Sequence, residues 1–436
     1  MYLGITFVPN VPADGPYELS SNIMACNANI LVYGLNKNKV LEQIITNQKY
    51  SKINEQLKMI VQLDTIEPQP LLHNGKPISI NVYSSKQLFN IGNGLCLSQI
   101  PYFPIEDLSN SKLFICFTSG TTGHSKGVIH SHRSFMATIQ NFILHEKHFG
   151  LTIGSPMPLG HISGTLCISK AISNAMTLVL FNNHNTEHIV KSIEKYRIAH
   201  LMVTSACLSD MAKENYPKLY DLSCLTQFQF IGSKPPSKLL KIVKEKYHVE
   251  LLELYGSSEF LGIVNNSITC PQLLFQEWES GNLGPLIANV EMKVIDLNTS
   301  VALPANQQGE LCFRGKPCFV GYLNNLEATK TAIDSNGWYH TGDIGYYDQR
   351  GFLFMTDRIK EIVKFRIWSV FPAEIENFIQ TVPSVKGVCV VGVPHVTDGY
   401  WLRAYVELAD EEQNITEQWL TNFVAGKYCF YNLYKN

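Results

Sequence analysis

The chain has 436 residues, of which 45% are hydrophobic and 17% charged, with a formal net charge of −2. That length can bury a large core and predicts two or three domains, and the charge argues against a nucleic-acid partner because no basic excess is available to neutralise phosphates. No apolar run is long enough for a membrane span, and the opening MYLGITFVPNVP lacks the basic region and cleavage site of a secretory leader. Eleven cysteines stand singly with no C-x-x-C pair, which predicts reduced thiols in an intracellular compartment. His130 and His132, and His145 and His148, have no Cys or carboxylate at ligand spacing, so no zinc site is expected there.

In chain order, Ile5 to Val8 reads as a strand stopped by Pro9, and Ile30 to Tyr33 as the next, with helical character from Lys39 to Thr46. Leu113 to Phe117 is an apolar run leading into a polar loop. Leu178 to Phe181 and Leu201 to Thr204 are buried-strand candidates with a helix from Thr186 to Lys195 between them. That is a βαβ unit, which implies a parallel sheet. Val249 to Leu254 is a further strand. From about Gly284 to Phe354 the texture changes to short strands and Gly/Pro/Asn turns, as in a small β-subdomain. Beyond Asp357 the pattern is α+β: a hairpin from Ile362 to Ser369, a helix near Pro372 to Gln380, strands at Gly387 to Val393 and Leu402 to Leu408, and the start of a helix at Phe423.

The polar loop is FTSGTTGHSKGV, Phe117 to Val128. Its glycines allow a tight turn with N–H groups facing an anion, and its hydroxyls and Lys126 add donors and charge, so it is built for phosphate. It is not a Walker A loop, because Ser125 precedes Lys126 and Gly127 follows it. Three more segments follow: Tyr255-Gly256-Ser257-Ser258-Glu259 after a strand, Trp338 to Asp343 ending in an acid set in a turn, and Asp357 to Lys364 leading into Phe371-Pro372-Ala373-Glu374. Together and in this order they resemble the acyl-adenylate-forming superfamily, nearest its 4-coumarate–CoA ligase and beetle luciferase branch, over nearly the whole chain.

The resemblance implies a fold and an activity. The fold is α/β: layered, mostly parallel sheets with a small β-subdomain over residues 1–356, and a hinged α+β lid over residues 357–436. The activity is ATP-dependent activation of a small carboxylic acid through an acyl-adenylate, with magnesium (Mg2+), and coenzyme A as acceptor. Thr118, Ser119, Gly120, Thr121, Thr122, Gly123 and Lys126 match the loop on the β- and γ-phosphates. Ser258 keeps the hydroxyl that reaches phosphate, and Glu259 matches the magnesium-associated acid, in keeping with that ion's preference for oxygen. Gly232 lies in the segment along the adenine, and Tyr255 and Gly256 are matched to ATP/AMP-binding positions in the turn that follows the strand. Asp343 matches the acceptor of the ribose hydroxyls, with Arg358 beside ribose and phosphate and Lys360 at the hinge. Pro158 to Gly164 resembles the floor of the acyl pocket, with His161 as its histidine, and Lys364 matches a lid lysine.

Several residues depart from the family pattern. Ser233 and Lys234 replace a small pair near the base, and Ile367 stands where a glycine lines the pantetheine channel. Phe181-Asn182-Asn183-His184 lacks a coenzyme A lysine. The family's first segment and its late Pro-Lys-x-x-x-Gly-Lys signature are not found, so the likeness predicts a lid that is incomplete and an adenylation step that is slow. Two rivals stay open: a luciferase-like monooxygenase, against which Leu144 to Gly150 carries no arginine, and a non-catalytic nucleotide-binding remnant. The particular acid and the oligomeric state are not legible. The compartment expected is peroxisome or cytoplasm, although the end Tyr-Lys-Asn is no peroxisomal address.

Overall fold

In the computed structural model residues 5–427 are described, apart from 11–13, 64, 66, 69–70, 74–75, 78–79, 94–103, 119–125, 146–149, 182–184, 232–236, 266–280, 362, 366–367, 371, 396–398 and 410–414. The first layer is built from helix α1 (Pro16–Cys26), strand β1 (Ile30–Gly34), helix α2 (Asn38–Thr46), and strands β2 (Met59–Leu63) and β3 (Asn81–Ser84). The strands form a parallel sheet in the order β1-β2-β3. Leu41, Ile44 and Ile45 recur at helical spacing, so α2 presents one apolar stripe to the sheet, where it packs with Ile23, Ile53 and Ile60. Along β1 the burial alternates: Leu31 and Tyr33 face this core while Ile30 and Val32 are exposed on the other face.

The loop-bearing hairpin is β4 (Lys112–Thr118) and β5 (Lys126–Ser131), antiparallel and followed by helix α3 (His132–His145). Residues 5–8 differ from expectation. Phe7 makes a single parallel bridge to Phe114, with its N–H donating to Leu113 O at 2.9 Å and its carbonyl accepting from Ile115 N–H at 3.0 Å. Pro9 offers no N–H to carry the ladder on, so no strand develops.

Next come β6 (Thr152–Ser155), α4 (Ile162–Ser173), β7 (Thr177–Leu180), α5 (Thr186–Tyr196), β8 (His200–Val203), α6 (Ser205–Lys213), β9 (Gln227–Ile231), α7 (Ser237–Tyr247), β10 (Glu250–Tyr255) and β11 (Val264–Asn265). Their six-stranded sheet has the order β11-β10-β9-β8-β6-β7 and is parallel except at the β10–β11 pair. The βαβ unit from β7 through α5 to β8 is present, with β6 lying between its two strands. Phe228 and Phe230 are almost wholly buried beneath α5, α6 and α7; burying such a side chain stabilises by about 1.5–3 kcal/mol.

The β-subdomain is one antiparallel sheet made of β12 (Asn282–Gly284), β13 (Val290–Ile295), β14 (Ala302–Leu303), β15 (Gly309–Gly315), β17 (Tyr339–Tyr347) and β18 (Leu353–Arg358), in the order β12-β18-β17-β15-β13-β14. A short strand, β16 (Gly321–Tyr322), leaves this region to pair with β5. The segment Thr341 to Asp343 is a correction: it is not a turn but an irregular stretch inside β17, where Gly342 takes φ +71°.

The C-terminal unit carries β19 (Val363–Phe365), β20 (Trp368–Val370), α9 (Pro372–Ile379), β21 (Val385–His395), β22 (Gly399–Leu408) and α10 (Glu417–Lys427); α8 is Leu326–Ala332 in the preceding region. Its strands are antiparallel in the order β20-β19-β22-β21, and α9 and α10 cover Val370, Val385 and Val390 through Ile375, Ile379 and Val424. Pro372 opens α9 with a φ suited to a helical first turn, and Asp357 Oδ2 at the end of β18 accepts the Ala373 N–H at 3.1 Å. Among the described residues no helix is long and apolar enough to cross a membrane.

Candidate active site

The segment after β10 is the hub. Its turn needs glycine: a Cβ on Gly256 would lie 2.8 Å from Gly262 N and 3.0 Å from Phe260 O. The turn is closed by Ser257 N–H donating to Phe260 O and Phe260 N–H to Ser257 Oγ, both at 3.1 Å. Each neighbouring residue then reaches a different part of the chain. Tyr255 OH donates to Asp343 Oδ2 at 2.6 Å, and Ser257 Oγ lies 3.3 Å from Tyr339 OH. The Ser258 carbonyl accepts from His130 Nε2 at 2.6 Å, and Glu259 Oε1 accepts from Tyr322 OH at 2.8 Å.

Asp343 is buried, and its other oxygen, Oδ1, accepts from Arg358 Nε at 3.1 Å. Burial raises its pKa above the usual carboxylate range, while the Tyr255 hydrogen bond and the Arg358 charge work in the opposite direction. Each carboxylate oxygen keeps a second lone pair, so the group can still accept from a neighbouring pair of hydroxyls. The same burial, with the Asp343 charge, holds the Tyr255 phenol well above its ordinary value, so it stays a donor.

Lys126 begins β5 opposite Thr118, and its Nζ sits 5.0 Å from the centroid of the Tyr322 ring. Tyr322 thus stands between the ammonium of Lys126 and the carboxylate of Glu259, touching one with its face and the other with its hydroxyl. Gly127 is needed for the approach, since a Cβ there would be 3.0 Å from Leu323 Cβ. Glu259 is half-buried, and the Tyr322 hydroxyl uses only one of the lone pairs on its carboxylate, which suits a hard cation; the donor chemistry fits magnesium.

His161 is the N-cap of α4: its Nδ1 accepts from Ser163 N–H at 3.2 Å and lies 2.8 Å from Ser163 Oγ. Partial burial lowers its pKa, which favours the neutral ring that this cap requires. Nε2 is then its N–H. Gly164 is required behind it, because a Cβ would fall 2.3 Å from Pro158 O.

Of the residues singled out from sequence, Lys126, Tyr255, Gly256, Ser258, Glu259, Asp343 and Arg358 are thereby brought together, with Thr118 at the end of β4. His161 stands on a separate element, and the helix it caps packs through Ile162 and Leu166 in one apolar cluster with Phe114 and Cys116 of β4. Ser119, Gly120, Thr121, Thr122, Gly123, Gly232 and Ile367 lie outside the described residues, as do Asn182 to His184. Lys360 and Lys364 are described by their backbone, in the 3-10 turn Ile359–Glu361 and in β19.

Sequence reasoning assigned no role to His130, Tyr322, Tyr339, Glu310 or His340. His130 is fully buried, stacks on Phe114 at 4.9 Å and bridges from β5 to the Ser258 carbonyl. A carbonyl only accepts, so Nε2 carries the hydrogen, and Nδ1, 3.2 Å from Ser134 Oγ, is the acceptor. A histidine amid a β-strand's apolar residues was the available signal. Glu310, Cys312 and His340 gather within 4.8 Å, the one such trio of metal-type donors among the described residues. Their mutual hydrogen bonds account for it: His340 Nδ1 lies 3.0 Å from Glu310 Oε2 and 3.6 Å from Cys312 Sγ, and burial pushes the Cys312 thiol up to about 12.

Burial lowers the His130 pKa to about 4, so the folded protein binds fewer protons than the unfolded chain between about 4 and 6.5. Stability contributed by the neutral ring is present above pH 6.5 and is lost as pH falls towards 4. The wild-type melting temperature should therefore drop across that window, and His130→Gln, which keeps a donor for Ser258 O but does not titrate, should flatten the slope. Equal slopes in both proteins would exclude His130 as the source.

The profile of the family described as AMP-binding enzyme matches residues 1–323, and that of the AMP-binding enzyme C-terminal domain matches residues 374–433. The chain is 34% identical over 321 residues to probable CoA ligase CCL5 of Humulus lupulus, covering 71% of this chain and 57% of that protein. It is 30% identical over 326 residues to peroxisomal OPC-8:0-CoA ligase 1 of Arabidopsis thaliana, covering 73% of this chain and 58% of that protein. It thus spans less than two thirds of the length of either relative. The fold is similar to that of ATP bound MatB from Rhodopseudomonas palustris, with a TM-score of 0.77 over 97% of this chain and 77% of that one, at 22% identity. That likeness concerns the fold alone. Through the profile match over residues 1–323, the chain belongs to the AMP-binding enzyme family.

Proposed function

We propose that this protein is an acid–CoA ligase that activates a small carboxylic acid with ATP. The observation that carries the reading is the convergence on Tyr255 to Glu259: within five residues the chain contacts Asp343, Tyr339, His130 and Tyr322, and through Tyr322 the ammonium of Lys126. Such a segment links a hydroxyl-binding acid at one end to a phosphate-type lysine at the other.

In the proposed reaction a carboxylate oxygen of the acid bonds to the α-phosphorus of ATP, and the bond to the β-phosphate oxygen breaks, releasing pyrophosphate. The thiol sulfur of coenzyme A then bonds to the acyl carbon, loses its proton, and AMP leaves. Two anions meet in the first step, so preorganised donors matter most there. Asp343 accepts from the ribose hydroxyls, with Arg358 beside it. Lys126, Thr118 and the loop Ser119 to Gly123 hold the β- and γ-phosphates, Ser258 adds a hydroxyl, and Gly232 borders the adenine. Glu259 is the residue that would hold magnesium, which when bound offsets phosphate charge. His161 lines the acyl end, where its Nε2–H faces away from the cap it makes with Nδ1. Lys360 and Lys364 belong to the lid, and the division into residues 1–356 and 357–436 is part of the same proposal. A peroxisomal or cytoplasmic setting accompanies it, supported only by the name of one relative.

ATP–pyrophosphate exchange, screened over aromatic and fatty acids, tests the proposal. Exchange that depends on one class of acid is the expected result. Tight ATP binding with no exchange for any acid, and no hydroxamate on trapping with hydroxylamine, would favour a nucleotide-binding protein without ligase activity.

A further inference from the structure

Asp343 faces Arg358 as its ladder partner on β18, while on the β15 side the backbone just before it leaves the regular ladder. Pairing between β15 and β17 runs Gly309 to Gly345 and Glu310 to Ile344, then resumes at Cys312 with His340. Leu311 alone therefore faces Thr341, Gly342 and Asp343, two residues more than a regular pair allows. Gly342 supplies the positive φ, +71°, that this bulge demands. A bulge leaves backbone groups without ladder partners, and here side chains take them. Thr341 Oγ1 donates to Leu311 O at 2.8 Å and accepts from Asp343 N–H at 2.9 Å. Glu310, largely buried, accepts the Gly342 N–H on Oε1 at 3.2 Å. Its Oε2 faces His340 Nδ1 at 3.0 Å, and since a carboxylate only accepts, Nδ1 is the donor. The outer nitrogen of the same ring lies 3.7 Å from Asp334 Oδ2, which orients it from the other side.

We propose that Glu310, steadied by His340, is a positioning residue for the nucleotide's ribose: it holds the Thr341–Asp343 bulge in the shape that aims the Asp343 carboxylate at the ribose hydroxyls. Neither residue touches the nucleotide in this arrangement. The inference rests on the reading of Asp343 as the ribose acceptor. It also predicts a pattern that a general loss of stability would not produce, because a ribose defect affects AMP and ATP alike yet spares a nucleotide that lacks the ribose hydroxyls.

The experiment is calorimetric titration of the full chain with AMP, with ATP and magnesium, and with 2′,3′-dideoxy-ATP. Proteins compared are wild type, Glu310→Ala, Glu310→Gln, Asp343→Ala and the Glu310→Ala/Asp343→Ala double variant. Glu310→Ala should weaken AMP and ATP by the same factor, about tenfold, as expected for one lost hydrogen bond to a charged acceptor. Glu310→Gln, which keeps an oxygen for the Gly342 N–H, should recover most of that. The loss should vanish for the dideoxy nucleotide and in the Asp343→Ala background, where the two changes are not additive. If Glu310→Ala does not fold, His340→Leu takes its place, with an expected equal loss of about threefold for both nucleotides. Wild-type affinity in Glu310→Ala, or losses that add in the double variant, would overturn the positioning role. A wild type that binds dideoxy-ATP as tightly as ATP would instead overturn the ribose role of Asp343, and this inference with it.

Discussion

Asp343→Ala should lower the affinity for AMP and for ATP by the same factor, at least about a hundredfold. The estimate follows from two hydrogen bonds to a charged acceptor, each contributing roughly 1.5–3 kcal/mol when the group is out of water. Asp343 is buried, and Tyr255 and Arg358 each occupy one of its oxygens, so the carboxylate is held at a fixed angle with one lone pair per oxygen remaining. Asp343→Asn should fall between, since the amide keeps the shape and one acceptor but loses the charge. The pH dependence carries a sign as well. Burial raises the Asp343 pKa, so nucleotide affinity should fall on acidification through a value above the ordinary carboxylate range, and Asp343→Asn should remove that limb. Isothermal titration with AMP across pH would measure both. Unchanged AMP affinity in a folded Asp343→Ala protein would remove this residue from the nucleotide site.

Lys126→Ala should separate ATP from AMP. The lysine starts β5 and rests against the face of Tyr322, whose hydroxyl bonds Glu259, whereas Asp343 is held by Tyr255 at the other end of the same segment. Removing it should slow pyrophosphate exchange by about 10²–10³-fold, the usual consequence of losing one preorganised donor where charge accumulates. ATP binding should weaken while AMP binding is nearly unchanged, because AMP lacks the two outer phosphates. Lys126→Arg would restore charge without restoring the geometry over Tyr322, and a partial recovery is expected. Equal losses for AMP and ATP would contradict a β/γ-phosphate contact.

Local pattern made much of the architecture legible. The apolar run Leu113 to Phe117 is a strand covered on both faces, with Phe114, Ile115 and Cys116 buried in succession, and Thr186 to Tyr196 is a helix because Ile189, Val190 and Ile193 recur on one side. The strands flanking that helix are parallel, as a βαβ crossover requires, though a third strand lies between them. Residues 5–8 show the limit of such reading: the composition is that of a strand, but only Phe7 makes a β-bridge. For Thr341 to Asp343, Gly and Asp suggested a turn, whereas pairing with Leu311 makes the stretch a bulge within a strand, because a ladder partner outweighs local turn preference.

The sequence by itself determined most of the elements, their order, and the groups that the proposal assigns to a nucleotide: the loop with Lys126, the turn with Glu259, the acid Asp343. All of these depend on spacing within one short stretch, where turn chemistry and burial pattern act locally. Only the tertiary structure decided which of these groups share a carboxylate, a phenol or a carbonyl. His130 meets Ser258 across a sequence separation of 128 residues, and Tyr322 meets Glu259 across 63. No local preference encodes such a partner, because a hydrogen bond between distant strands is set by how the sheets pack, and a buried polar group takes whichever complementary atom that packing leaves within reach.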